Sequence, residues 1–216
     1  MNIAIDGPAG SGKSTVAKRL AKELSFIYVD TGAMYRAMAL HCIRKEADVN
    51  SEEAVNALLP EIEVSLRYAD GEQQVLLNGE DVSGLIRTRQ VSAATSVISA
   101  YSAVREKLLS LQRDIAAGAD VIMDGRDIGT NVLPNAELKV FLTASVETRA
   151  KRRYLELKEK GENPDIADIE KEISERDQRD ANRSIAPLKQ AEDAVLVDTS
   201  DMTIDEVVAR IRELAG

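Results

Sequence analysis

The sequence predicts an α/β protein whose core is a five-stranded parallel sheet flanked by helices. Three observations carry that expectation. Five short apolar runs recur along the 216 residues, at 2–6, 26–30, 120–124, 138–142 and 194–198. They lack the polar alternation of a half-exposed strand, as strands buried on both faces do. Longer stretches with helical spacing separate them, so strand and helix alternate and the connections are right-handed crossovers in a doubly wound sheet.

Each element has its own local signal. The first run, Ile3-Ala4-Ile5, leads through a glycine-rich loop into a helix on which Val16, Leu20 and Leu24 recur every four residues. Residues 61–68 and 73–78 flank Ala69-Asp70-Gly71-Glu72 and read as a hairpin, with a second turn at Asn78-Gly79. They predict a small antiparallel insertion. Val104, Leu108, Leu111 and Ile115 mark a helix ending near Gly118. From 146 to 183 the chain is dense in both charge signs, with helical spacing broken by Gly161-Glu162-Asn163-Pro164. This predicts a charged helical hairpin, for which a solvated surface pair is the equal alternative. Thr203 and Glu206 stand in capping-box spacing before Val207, Ile211 and Leu214 on the last helix.

Composition excludes several function classes. With 28 Lys+Arg against 37 Asp+Glu the net charge is −9. Such a chain lacks the positive field that holds a protein on nucleic acid or an anionic membrane, so any phosphate must meet a local basic pocket. Cys42 and His41 are the single cysteine and histidine, which excludes an internal disulfide, a Cys/His zinc site and a Cys-His nucleophile. Trp is absent and seven residues are aromatic, so base-stacking platforms for single strands are not expected. The opening residues lack a basic n-region and apolar h-region, and no long apolar run follows. A reduced, cytoplasmic, soluble protein is expected, and a monomer. Its mass of 23.5 kDa allows about 70% of the unfolded surface to be buried, enough for one core.

Gly7-Pro8-Ala9-Gly10-Ser11-Gly12-Lys13-Ser14-Thr15 matches G-x-x-x-x-G-K-[ST], a pattern that chance places in on the order of one chain per hundred of this length. It follows an apolar strand and opens an amphipathic helix, the context a phosphate-binding P-loop requires. The glycines let the backbone N–H groups curl inward, and the helix adds its positive N-terminal end. Lys13 is expected on the β- and γ-phosphates and the Ser14 hydroxyl on Mg²⁺. The motif predicts a nucleoside triphosphate site and leaves the acceptor open.

Three further clusters bear on the acceptor. Asp30-Thr31-Gly32-Ala33-Met34-Tyr35-Arg36 follows the second strand and Asp124-Gly125-Arg126-Asp127-Ile128-Gly129 the third, both at the carboxyl edge where such sheets bind ligands. Late in the charged hairpin comes Glu175-Arg176-Asp177-Gln178-Arg179-Asp180-Ala181-Asn182-Arg183, with its arginines about one turn apart. Together with the P-loop and with Asp81-Val82-Ser83-Gly84-Leu85-Ile86-Arg87-Thr88-Arg89, in this order, they closely resemble the bacterial cytidylate kinase family over essentially the whole chain. The P-loop is common to many NTPases, whereas the set formed by residues 30–36, 83–88 and 124–130 is particular to this family.

The resemblance implies a nucleoside monophosphate kinase that transfers the ATP γ-phosphoryl to CMP or dCMP. It implies that Asp30, Thr31, Tyr35 and Arg36 face the acceptor, with the arginine on its phosphate; Thr31 stands where a serine occurs in some relatives and keeps the hydroxyl. Ser96, Arg105 and Asp127 would recognise cytosine, and Arg176, Asp180 and Arg183 would close on ribose and phosphate. Lys13, Arg126, Arg176 and Arg183 would be the catalytic cations, with Ser14 and Asp124 at the metal. Residues of about 58–96 would form the monophosphate-binding insertion and about 146–183 the lid, on a core of 1–57, 97–145 and 184–216, within one kinase domain, 1–216.

The residue chemistry agrees. Phosphoryl transfer needs positioning and charge neutralisation, which forked guanidiniums supply, and an ionised phosphate acceptor needs no catalytic base. Cytosine offers an amine donor and two acceptors, which a carboxylate with an Arg or Ser can read. Uracil would set a carbonyl against that carboxylate, at a cost of about 1 to 3 kcal/mol, roughly 10- to 100-fold.

Other charged groups have plainer readings. Asp124 could simply end a strand, although an acid there is well placed to hold a Mg²⁺-bound water. Arg149, Arg152 and Arg153 are each read as helix-surface charges, with ATP contact the alternative. His41 and Cys42 are read as packing residues, and Arg87 and Arg89 could bind substrate or pair with acids within the insertion. A kinase for another small acceptor is the nearest rival, and a nucleotide-gated switch or motor the more distant one. No Asn-Lys-x-Asp guanine reader or Leu-Ser-Gly-Gly-Gln signature supports the latter.

Overall fold

A computed structural model describes residues 1–69 and 72–216. Five strands, β1 (Asn2–Asp6), β2 (Ile27–Asp30), β6 (Val121–Gly125), β7 (Leu138–Thr143) and β8 (Val195–Asp198), pair in the order β2-β6-β1-β7-β8, all parallel. The apolar runs match them to within a residue at each end. Successive side chains leave a strand on opposite faces. Thus Ile3, Ile5 and Ile122 enter one core, with Val16 and Leu20 of α1 (Lys13–Leu24) and Val207 and Ile211 of α8 (Ile204–Ala215). Ala4, Val121 and Met123 enter the other, with Met34 and Met38 of α2 (Thr31–Arg44), Ile98 of α4 (Arg89–Ile98) and Leu108 of α5 (Ser102–Gly118). Gly118 ends α5 itself instead of lying beyond it, because the chain passes directly through Ala119 in an extended conformation toward β6.

A separate antiparallel sheet is formed by β3 (Val64–Ala69), β4 (Glu72–Leu77) and β5 (Glu80–Asp81), after α3 (Glu52–Leu58). The expected first strand loses residues 61–63, since Glu61 belongs to a short 3₁₀ turn that continues α3. The turn expected at Ala69-Asp70-Gly71-Glu72 falls partly on residues 70 and 71, which lie outside the described residues, whereas Asn78 and Gly79 turn the chain from β4 to β5 as expected. The charged hairpin is α6 (Val146–Glu159) and α7 (Ile166–Ala181), capped by Ser145 and Asp165. It has its own small core of Ala150, Leu157, Ile169 and Ile173, so its faces are not all solvated. No helix among the described residues is long and apolar enough to cross a membrane.

Candidate active site

The carboxyl ends of β1, β2 and β6 bring three carboxylates level. Ile5 pairs in register with Asp124, Asp6 with Gly125, and Asp30 with Asp124. The loop after each strand opens into one cleft of about 1250 Å³. Every residue assigned from sequence lines that cleft except Gly7 and Pro8, the buried first two residues of the P-loop. Gly7 has φ +147°, and a Cβ there would lie 1.9 Å from the Leu142 carbonyl oxygen, so a side chain would push the P-loop off the sheet.

At the P-loop end, Lys13 is buried, and its Nζ donates to the Pro8 carbonyl at 2.7 Å. Burial, reinforced by the Arg126 charge, pulls its amine well below the usual range. An anion would remove that cost by giving the ammonium a partner. The Ser14 hydroxyl donates to Asp124 Oδ2 at 2.9 Å and the Tyr28 hydroxyl to Asp124 Oδ1 at 3.0 Å. Burial first, then Asp30, pushes the Asp124 carboxyl up to about 6. Among the described residues no cluster of three His, Cys, Asp or Glu side chains could hold a metal alone. The Ser14–Asp124 pair is instead a hard-oxygen site of the kind that Mg²⁺ completes with phosphate and water.

At the opposite end Asp180, 1% exposed, ties arginines together. Its Oδ2 accepts Arg126 Nε at 2.9 Å and its Oδ1 pairs with Arg183, which also donates to Ser99 Oγ at 3.0 Å. Burial alone would raise the Asp180 carboxyl, but Arg126, Arg183 and Arg176 together hold it below its usual range. Arg176 is drawn down to about 10 by burial and by Arg126. The Nε atoms of Arg36 and Arg176 are buried without a hydrogen-bond partner among the described residues. A concave set of cations with open donors is suited to a phosphate group.

Beside it, Arg105 pairs with Asp127, both side chains 7% exposed, and lies 5.6 Å from the centre of the Tyr35 ring. Arg105 Nη1 donates to the Ser99 carbonyl at 3.1 Å, and Asn131 Nδ2 to Asp127 Oδ2 at 3.0 Å. Burial raises the Tyr35 phenol to about 12, so it remains a donor. Ser96 Oγ and Arg105 Nε are buried with no partner among the described residues. Asp30 and Thr31 shape the edge from within: Asp30 accepts the Ala33 N–H at 2.9 Å and pairs with Arg87 at 2.8 Å, and Thr31 donates to the Asp124 carbonyl at 2.8 Å. Arg87 and Arg89 pair with acids outside the insertion, Arg87 with Asp30 and Arg89 with Glu172 of α7, and both line the cleft.

One reading from sequence needs correction. Arg149 is 3% exposed, and its three nitrogens donate to the Ala144 carbonyl at 2.9 Å, the Ala9 carbonyl at 3.1 Å and Asp177 Oδ2 at 2.6 Å. It is a clip between the P-loop, α6 and α7, and Gly10 packs on its stem. Arg152 reaches the Thr199 carbonyl at 2.6 Å, while Arg153 keeps the expected surface role beside Glu156. His41 and Cys42 are buried in packing positions. Sequence reasoning passed over Tyr28, Ser99, Asn131 and Thr199; of these Thr199, directly after a core strand, had the legible signal of a carboxyl-edge position.

The chain is 52% identical over 214 residues to a cytidylate kinase from Lactobacillus gasseri, covering 99% of this chain and 93% of that protein. It is 51% identical over 214 residues to one from Caldicellulosiruptor saccharolyticus, covering 99% and 95%. Among solved structures, a shikimate kinase from Bacteroides thetaiotaomicron aligns with a TM-score of 0.51 at 16% identity, covering 100% of this chain and 98% of that one; it shares the fold. Because the family model described as cytidylate kinase also matches residues 3–216, the chain belongs to the cytidylate kinase family.

Proposed function

We propose that the protein transfers the γ-phosphoryl group of ATP to CMP or dCMP, giving CDP or dCDP and ADP. The observation that carries this reading is one cleft with two unlike ends, the P-loop with buried Lys13 at one and the Asp180-linked arginines beside the Arg105–Asp127 pair at the other. An ionised oxygen of the acceptor phosphate forms the new bond to the γ-phosphorus. The bond from phosphorus to the β,γ-bridging oxygen breaks, and its electron pair leaves with ADP.

Lys13 and the P-loop amides hold the donor phosphates. Arg36, Arg126, Arg176 and Arg183 bring the acceptor phosphate into line and stabilise charge on the equatorial oxygens. Asp127 takes the cytosine amine, with Arg105 and Ser96 on its acceptor atoms, and Tyr35 and Asp180 border the nucleoside. Ser14 and Asp124 suit Mg²⁺, which when bound neutralises charge on the β- and γ-phosphates. Residues of about 58–96 act as the acceptor-binding insertion and 146–183 as a lid whose arginines exclude water on closure. The protein works as a soluble cytoplasmic monomer.

A coupled assay of ADP release over the four common monophosphates tests the reading. CMP and dCMP should stimulate turnover, with kcat/KM for UMP lower by roughly 10- to 100-fold. Turnover indifferent to the monophosphate would instead indicate a switch or motor, and equal use of UMP would remove the role given to Asp127.

A further inference from the structure

Asp6, an acid at the end of an otherwise apolar strand, has no part in the chemistry above. Its side chain is buried, and each oxygen accepts one backbone N–H from the turn after β6: Oδ1 from Ile128 at 2.8 Å and Oδ2 from Gly129 at 2.7 Å. These amides open a short turn, Ile128–Val132, in which the Asn131 and Val132 N–H groups return to the Asp127 carbonyl at 2.9 and 3.2 Å. The first amides of such a turn have no partner within it. Asp6 therefore caps it from another strand, 122 residues away in sequence from Ile128. The contact is close: a Cβ on Gly129 would lie 3.1 Å from Lys139 Cδ and 3.4 Å from Asp6 Oδ2.

The turn carries Asp127 at its start, with φ −145° and ψ 28°. Fixing the next two N–H groups fixes the peptide planes that follow Asp127, and with them the direction of its side chain toward Arg105 and Asn131. Although Asp6 immediately precedes the P-loop, among the described residues its oxygens bond to the turn and not to the loop. We propose that Asp6 is a positioning residue for nucleobase selection: by holding Ile128 and Gly129 it sets Asp127 against Arg105, and so determines discrimination between cytosine and uracil monophosphates. This role rests on the acceptor reading given above.

Asp6→Asn is nearly isosteric, keeps one acceptor oxygen and turns an amide NH2 donor on the second N–H. In steady-state kinetics the KM for CMP should rise by about 10- to 100-fold. The KM for ATP should stay within about twofold, and the CMP-to-UMP ratio of kcat/KM should fall toward one. Unchanged KM values and an unchanged ratio, with kcat reduced only by the folded fraction, would show a merely structural role and overturn the proposal. A rise in KM for ATP alone would place the action of Asp6 on the P-loop and also overturn it. A wild type without CMP selectivity would refute the acceptor reading itself, whereas a selective wild type with an equally selective variant refutes only the role of Asp6. Amide hydrogen exchange on the wild type by NMR decides the matter should the variant not fold. The Ile128 and Gly129 amides should be as protected as those of β1 and slow further with CMP but not with ATP; exchange at exposed-loop rates would overturn the proposal.

Discussion

Asp180→Asn tests the arginine cluster most directly. In the ligand-free protein Asp180 is the buried negative charge among Arg126, Arg176 and Arg183, accepting from the first and last of them. Hydrogen bonds to charged groups contribute about 1.5 to 3 kcal/mol each. The amide retains one acceptor oxygen and loses the charge, so a loss of about 3 kcal/mol is expected. For a chain of this length 1 kcal/mol corresponds to roughly 2 to 4 °C, which puts the variant's Tm lower by roughly 6 to 12 °C. An added dianion should replace part of the missing charge. Thermal unfolding is therefore measured in chloride and in sulfate at matched ionic strength. The variant should recover more in sulfate than the wild type gains, since general salting effects act on both. A wild-type Tm in chloride, or equal responses to sulfate, would refute the view that Asp180 balances these arginines until an acceptor phosphate arrives.

The remaining expectations are these. Arg149→Ala should cost about 2 to 4 kcal/mol in urea unfolding and raise the KM for ATP, because it strips a buried partner from Asp177 and the P-loop; a loss within about 0.5 kcal/mol would restore the surface reading. Asp127→Asn should reduce the CMP preference over UMP to within a few fold, and full retention of selectivity would exclude the carboxylate as base reader. In metal- and nucleotide-free buffer, Asp124 and Asp6 are both raised to about 6 from an ordinary 3.8 by burial. The folded state then binds more protons than the unfolded one between about pH 4 and 6, so these groups lower stability as pH rises through that window. Urea unfolding between about pH 4 and 6 should show a smaller decline for Asp124→Asn than for the wild type, and parallel curves would count against a protonated Asp124.

The parts of the fold and site that were legible share a physical feature: their signal is contiguous. The strand of Ile3-Ala4-Ile5, the P-loop and the caps at Thr203 and Glu206 are each decided by neighbours within a few residues, so periodicity and spacing report them. Arg176, Arg179 and Arg183 could be singled out as a set because they sit within one stretch. Arg149 was misread because a mixed-charge helix is the ordinary pattern of a solvated face. Its partner, the Ala9 carbonyl, lies 140 residues away, and nothing local distinguishes it from Arg153. The start of β3 shifted because the 3₁₀ turn through Glu61 closes with a backbone bond from Ile62 to Leu59, a preference that side-chain alternation does not register.

The amino-acid sequence determined the sheet, its order of elements, the donor loop and the list of charged residues available to an acceptor, because local hydrophobic period and turn chemistry specify these. Tertiary structure alone decided which charges neutralise one another before any ligand arrives. Asp180 with Arg126, Asp127 with Arg105, and Asp6 with the Ile128 and Gly129 amides are pairings between separate segments. Coulomb attraction and desolvation act through space, and the crossovers of a parallel sheet bring separated loops to one edge. The overall charge of −9 therefore describes the exterior, while the cleft gathers its cations against it.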